Sequence, residues 1–212
     1  GIKEYQIGKG VPAQVEEDKI SRVFNAQSKI DDSYIKELRG RNISRYGISW
    51  SSEYIKYGKW LAEPRSPNYF SGERILIRQI PDVTRFVVSH TDEEYVIDQS
   101  IYVAKPIGLQ NVKFMLGCLN SRLTYWYFKN LYNEFDSLFP KIKINEFKSL
   151  PIPNSTIAKQ DEVAMVVNKI LEMKKINPLA DIYGLEQQID KLVYELYGLT
   201  DDEIKIIEGA MV

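Results

Sequence analysis

The chain is poor in the residues that build metal and nucleophile sites. Its 212 residues include one cysteine, Cys118, and one histidine, His90. One cysteine excludes an intrachain disulfide. Cys118 and His90 together fall short of the three or four Cys/His ligands of a typical zinc site. No apolar run approaches 18 residues, which excludes a membrane-spanning helix. The start, Gly1-Ile-Lys-Glu4, has no apolar stretch of signal-peptide type, and the missing Met points to a piece of a longer protein. A reduced, cytoplasmic setting is expected. No G-x-x-x-x-G-K-[ST] phosphate cradle and no G-x-S-x-G nucleophile turn occur. Acidic residues at Asp82, Glu93 and Glu94 evoke a nuclease metal pair, but no Lys stands two residues after either of the last two. His90 at a strand end reads as structural, and Cys118 on an apolar helix face reads as a core residue.

What is present is ordinary globular material, 44% hydrophobic and 27% charged, enough for a core without covalent staples. The net charge of −1 hides an asymmetry. Residues 1–153 carry 22 Lys and Arg against 18 Asp and Glu, whereas 154–212 carry 6 against 11. The densest basic stretch, 36–85, has ten basic residues, seven of them Arg, against five acids. Tyr46, Trp50, Tyr54, Tyr57, Trp60, Tyr69 and Phe70 are interleaved with them. Charge for phosphates and flat faces for bases suit a nucleic-acid surface. Solvated charges between strand aromatics give the same pattern, and the balance is far from strongly basic.

Hydrophobic periodicity divides the chain. Residues 1–30, with Gly8, Gly10 and Pro12, read as a short strand and a mobile loop. Asp31-Asp-Ser33 before Tyr34–Leu38 predicts a capped short helix ending at Gly40. Strands are expected at 74–80 and 99–104, with 85–89 and 95–97 forming a hairpin about the polar turn 91–94. In 74–80, Arg74, Leu76, Arg78 and Ile80 share one face. Period 3.6 takes over after 110, breaks at Asn120-Ser121, and resumes beyond Pro151-Ile-Pro153 as three helices over 157–175, 181–197 and 200–211. Asn120 and Ser121 read as a junction cap, and the acids of 157–208 as solvent-facing charges. The fold class is therefore mixed α/β, with a largely antiparallel sheet and flanking helices over 1–153 and a helical tail over 154–212.

Several segments, in order, carry a family likeness: Gly8-Lys-Gly-Val-Pro12, Leu38-Arg-Gly-Arg-Asn-Ile43 with Arg45-Tyr46, and Glu73-Arg-Ile-Leu-Ile-Arg78. Asp98-Gln-Ser-Ile-Tyr102, Leu119-Asn-Ser-Arg-Leu123, Phe139-Pro-Lys-Ile142, Leu150-Pro-Ile-Pro153, Ile189–Tyr194 and Leu196–Thr200 continue it. The set resembles the TaqI-like C-terminal specificity domain of adenine-N6 DNA methyltransferases and single-chain type II restriction-modification enzymes. It is also similar to the target-recognition domains of type I specificity subunits. The resemblance implies that 1–153 is a DNA target-recognition domain, with the tail packed on it or on a catalytic domain. It implies double-stranded DNA and an N-terminal methyltransferase domain of the same chain as partners. The family's S-adenosylmethionine motif and its Asn-Pro-Pro-Tyr-type adenine motif do not occur here, so no catalytic residue and no cofactor is expected in this chain itself. Within this reading Arg41, Arg45, Arg74 and Arg78 are the first candidates for phosphate or guanine contacts, and Lys56, Lys59 and Arg65 the next. Asn42 and Gln79 suit an adenine edge. Arg74 and Arg78 have surface pairing with Glu73 or Asp82 as their alternative. A protein-interaction or structural module remains the competing class.

Overall fold

The computed structural model describes residues 1–108, 111–132 and 141–210. Among them, the strands are β1 (Asn25–Ala26), β2 (Tyr34–Leu38), β3 (Ile43–Ser44), β4 (Gly47–Ile48), β5 (Tyr54–Lys56), β6 (Arg74–Arg78), β7 (Val88–Thr91), β8 (Val96–Ile97) and β9 (Ile101–Ala104). The helices are α1 (Glu16–Ile20), α2 (Val112–Asn120), α3 (Arg122–Leu131), α4 (Ile144–Lys148), α5 (Ile157–Ile176), α6 (Tyr183–Tyr197) and α7 (Asp201–Gly209). A four-stranded sheet runs β1-β5-β2-β8, antiparallel except for the parallel β2–β8 pair. A three-stranded antiparallel sheet runs β7-β6-β9, and β3 and β4 form a small hairpin.

Strand β6 is a wall between two cores. Its alternation sends Ile75 and Ile77 into a core built with α2, α3, α5 and α6, and Leu76 into a second core with Leu38, Ile55, Val96 and Ile97. Among the described residues every strand lies before residue 105, and the tail helices share the first core with α2 and α3. Helix α5 crosses α2 at Gly117, where an added Cβ would sit 2.6 Å from Val163 Cγ1. Only a residue without a side chain admits that approach. Burial pushes the Cys118 thiol up to about 12, in keeping with an inert core residue.

Four local expectations are corrected. Tyr34–Leu38 is a strand, not a helix: Asp31 accepts the Ser33 N–H at 2.7 Å, an Asx turn that delivers the chain into β2, which pairs on both edges. The expected hairpin of 85–89 with 95–97 does not form. Strand β7 pairs with β6, while β8 crosses to the other sheet beside β2, because Val96 and Ile97 are fully buried in the second core. In the first 30 residues, where a short strand and a mobile loop are expected, Ile2 and Lys3 bridge to Asp98 and Glu63, and the expected loop region holds α1 and β1. Lastly, Glu186 and Asp190 do not face solvent; both are buried against the sheet region.

Candidate nucleic-acid interface

Strand β2 ends at Leu38, and the next three residues carry two arginines around a glycine. Arg39 precedes a 3₁₀ turn over Gly40–Asn42, and Arg41 lies within it. The Gly40 N–H donates to Ser100 Oγ at 2.7 Å, which ties this turn to the start of β9. A Cβ on Gly40 would stand 3.4 Å from Arg78 Cγ, so the Arg78 stem lies close over the glycine. Arg39, Arg41 and Arg78 thereby line one open cleft of about 400 Å³, together with Asp98 and Ser100. A second cleft of about 160 Å³ lies on the other side of Arg39 and Arg41, lined also by Arg22, Asn25, Gln27 and Glu53.

The guanidiniums differ in freedom. Arg39 is anchored: Nη2 reaches Glu4 Oε1 at 2.7 Å and Glu37 Oε2 at 3.1 Å. Glu37 is wholly buried, and burial, reinforced by Glu4, pushes its carboxyl up to about 8 despite Arg39. Arg41 projects from the surface, 59% exposed, and pairs with Glu53. Burial opposes ionisation of Glu53, but the Ser51 hydroxyl and the Arg41 guanidinium outweigh it and hold the carboxyl below its ordinary value. Arg78 donates from Nε to the Ile80 carbonyl at 2.7 Å and has no acidic partner among the described residues.

Other sequence candidates are placed elsewhere. Arg74 is fully buried and donates to the Gly72 and Glu93 carbonyls, each at 2.7 Å, so it holds the turn before β8 and has no surface to offer a phosphate. It shares the Leu76 face, as alternation requires, but that face is covered by the second sheet. Asn42 is buried too: Oδ1 accepts the Arg39 N–H at 2.8 Å and Nδ2 donates to the Ser49 carbonyl at 2.8 Å, which leaves no edge for adenine. Arg45 grips Glu186 through Nε and Nη2 at 2.7 and 3.2 Å and Asp82 through Nη1 at 3.2 Å, joining α6 to the sheet region. Lys56 lies over the Trp60 ring at 5.1 Å, Lys59 is exposed, and Arg65 pairs with Glu63 at 2.6 Å. None of these three lines either cleft. Gln79 is half-buried, and its backbone pairs with Ser100 and Ile142.

The motif residues outside the clefts have structural work. Ser121 caps α3, accepting the Thr124 N–H at 3.3 Å. Asn120 does more than a cap: its amide pairs with both backbone groups of Val88, at 3.0 and 3.2 Å, and so clamps α2 to β7. His90 is half-buried between Glu73, at 3.0 Å, and Lys113. Among the described residues no group of three or more His, Cys, Asp or Glu is placed to hold a metal, and no helix is long and apolar enough to cross a membrane.

The family model for the TaqI-like C-terminal specificity domain matches residues 35–152, more than half of the chain. The chain belongs to that family. The match encloses Arg39, Arg41 and Arg78 and ends where the tail helices begin. This specificity domain is also similar in fold to a solved structure, the Type IIL restriction-modification enzyme MmeI in complex with DNA. The TM-score is 0.66 at 12% sequence identity, over 100% of this chain and 34% of that one. The domain thus spans about a third of the neighbour's length. No curated protein matches it. Arg39 and Glu53 are among the cleft-lining residues that the sequence candidates left out. The Leu38-Arg-Gly-Arg41 motif was the available signal for Arg39; nothing local pointed to Glu53.

Proposed function

We propose that this specificity domain reads the DNA target of a restriction-modification enzyme, an adenine-N6 methyltransferase in the rest of the parent protein carrying out the chemistry. The observation that carries this reading is the convergence of Arg39, Arg41 and Arg78 on adjoining clefts at the tips of two strands. Arg41 and Arg78 line one cleft, with an Arg39 held by Glu4 and Glu37, and supply the charge and planar donors that phosphates and base edges accept. The fold likeness to an enzyme solved with DNA supports it. The domain's part is to hold the duplex while the methyltransferase extrudes the target base, a step with an unstacking cost that a second grip on the DNA offsets. S-adenosylmethionine belongs to that other domain, and this chain alone is proposed not to bind it.

The test is fluorescence anisotropy on a labelled duplex over a salt series. The parent chain is expected to bind with a Kd of roughly 10⁻⁴ to 10⁻⁶ M at physiological salt and with a steep negative dependence on salt. The Arg41→Ala/Arg78→Ala variant is expected to bind more weakly, with a shallower slope. Equal binding by the two at every salt concentration places the DNA elsewhere, and no binding by the parent at low salt removes the reading.

A further inference from the structure

Glu53 is out of place on a surface meant only for phosphates. It is the one acid lining the smaller cleft, among Arg22, Arg39 and Arg41, and an ionised carboxylate there repels a DNA backbone. It is nevertheless held in position. Ser51 Oγ donates to Glu53 Oε2 at 2.9 Å, and the Glu53 backbone carbonyl accepts both Trp50 Nε1 and the Glu37 N–H, each at 2.9 Å. Arg41 Nη2 donates to the same Oε2. That leaves Arg41 Nε and Nη1, and Glu53 Oε1, without a partner among the described residues. Glu186 and Asp190 are buried in their ion pairs; in this one Arg41 stands 59% exposed at the mouth of the cleft, and Glu53 is 21% exposed with Arg39 Nε 4.0 Å from its Oε2.

We propose that Arg41 and Glu53 together read a single G·C base pair in the major groove, Arg41 taking guanine and Glu53 taking cytosine. The inference rests on the DNA-recognition reading above and deepens it. The major-groove edge of G·C presents two acceptors, N7 and O6 of guanine, followed by one donor, N4 of cytosine. A guanidinium with a carboxylate at its side presents donors followed by acceptors, in the same order. An A·T pair sets its N6 donor against the guanidinium and its O4 acceptor against the carboxylate. A C·G pair reverses the order. The Arg41–Glu53 bond costs little to keep, because the guanidinium still has donors for N7 and O6 while Nη2 bonds the carboxylate.

The experiment selects duplexes from a randomised library on the parent chain and on Arg41→Gln and Glu53→Gln variants, with thermal unfolding run beside it to check their folds. The parent is expected to demand G·C at one position. Each variant relaxes that position by about fivefold to a hundredfold and leaves the others alone. A measurement on the unaltered protein stands beside these: 7-deazaguanine at that position, which lacks the N7 acceptor, weakens binding by the parent. If neither variant alters the preference at any G·C position, or if 7-deazaguanine at every selected guanine leaves parent binding unchanged, the pair does not read a base. If the parent selects no sequence at all, it is the DNA-recognition reading that falls.

Discussion

Arg85 and Asp190 meet in two parallel hydrogen bonds, Nη1 to Oδ1 at 3.0 Å and Nη2 to Oδ2 at 2.5 Å, across 105 residues of chain. Both side chains are buried, and the pair has further partners: Arg85 Nη1 donates to the Asn120 carbonyl at 2.8 Å, and Asp190 accepts the Arg122 N–H at 2.8 Å. One ion pair thus joins the segment before β7, the α2–α3 junction and α6. Asp190→Ala strands a buried guanidinium and is expected to lower stability by about 3–5 kcal/mol. The Arg85→Met/Asp190→Leu double variant removes both charges and is expected to lose much less. Urea unfolding checks both, and a double variant weaker than Asp190→Ala contradicts the assignment.

Glu37 gives a pH dependence with a definite sign. Its carboxyl rises from an ordinary value of 4.5 to about 8 in the folded chain, through burial first and Glu4 second. Between those values the folded state keeps a proton that the unfolded state has released, so this group's contribution to stability falls as pH rises through the window. Glu37 Oε1 is buried without a hydrogen-bond partner, the environment that favours retaining the proton. Glu37→Gln cannot ionise. The Tm of the variant relative to the parent is expected to improve from pH 5 to pH 8.5, and a difference that does not change with pH refutes the proton assignment.

Gly117 sets the approach of α2 to α5. An added Cβ would lie 2.6 Å from Val163 Cγ1 and 3.1 Å from Val167 Cγ2, so one helix must shift to admit it. Gly117→Ala is expected to destabilise by about 1–3 kcal/mol despite the better helix propensity of alanine. Val163→Ala in the same chain should recover part of that loss, because it removes the nearer atom. Denaturant midpoints of the single and double variants decide the matter, and simple additivity of the two losses argues against the contact.

Arg74 and Arg78, four residues apart on the same strand, are expected to fail differently. Arg74→Ala removes two charged donors from backbone carbonyls deep in the fold and should cost on the order of 2–3 kcal/mol. Arg78→Ala is expected to cost well under that and to appear as weaker duplex binding. Thermal unfolding paired with anisotropy separates them. The assignments reverse if Arg74→Ala keeps full stability and loses DNA.

Period 3.6 after residue 110, Ser121 before α3, Thr200 before α7 and Gly198 after α6 are local signals, and each marks a helix boundary near where the structure has it. The alternation of 74–78 likewise shows which side chains share a face of β6. These features depend on a few neighbouring residues, so the sequence by itself determined them. Partners distant in the chain did the rest. Asp31-Asp-Ser33 suits a helix cap and an Asx turn equally well, and β5 and β8 on either edge made Tyr34–Leu38 a strand. Arg74 and Arg78 share a parity, yet the second sheet covers one and leaves the other half-exposed. Glu186 and Asp190 look like surface acids until Arg45 and Arg85 reach them from more than a hundred residues away. The Arg41–Glu53 pair belongs to the same class. A charge is solvated, buried or offered to a ligand according to what is packed beside it, and that is settled by tertiary contact rather than by local spacing.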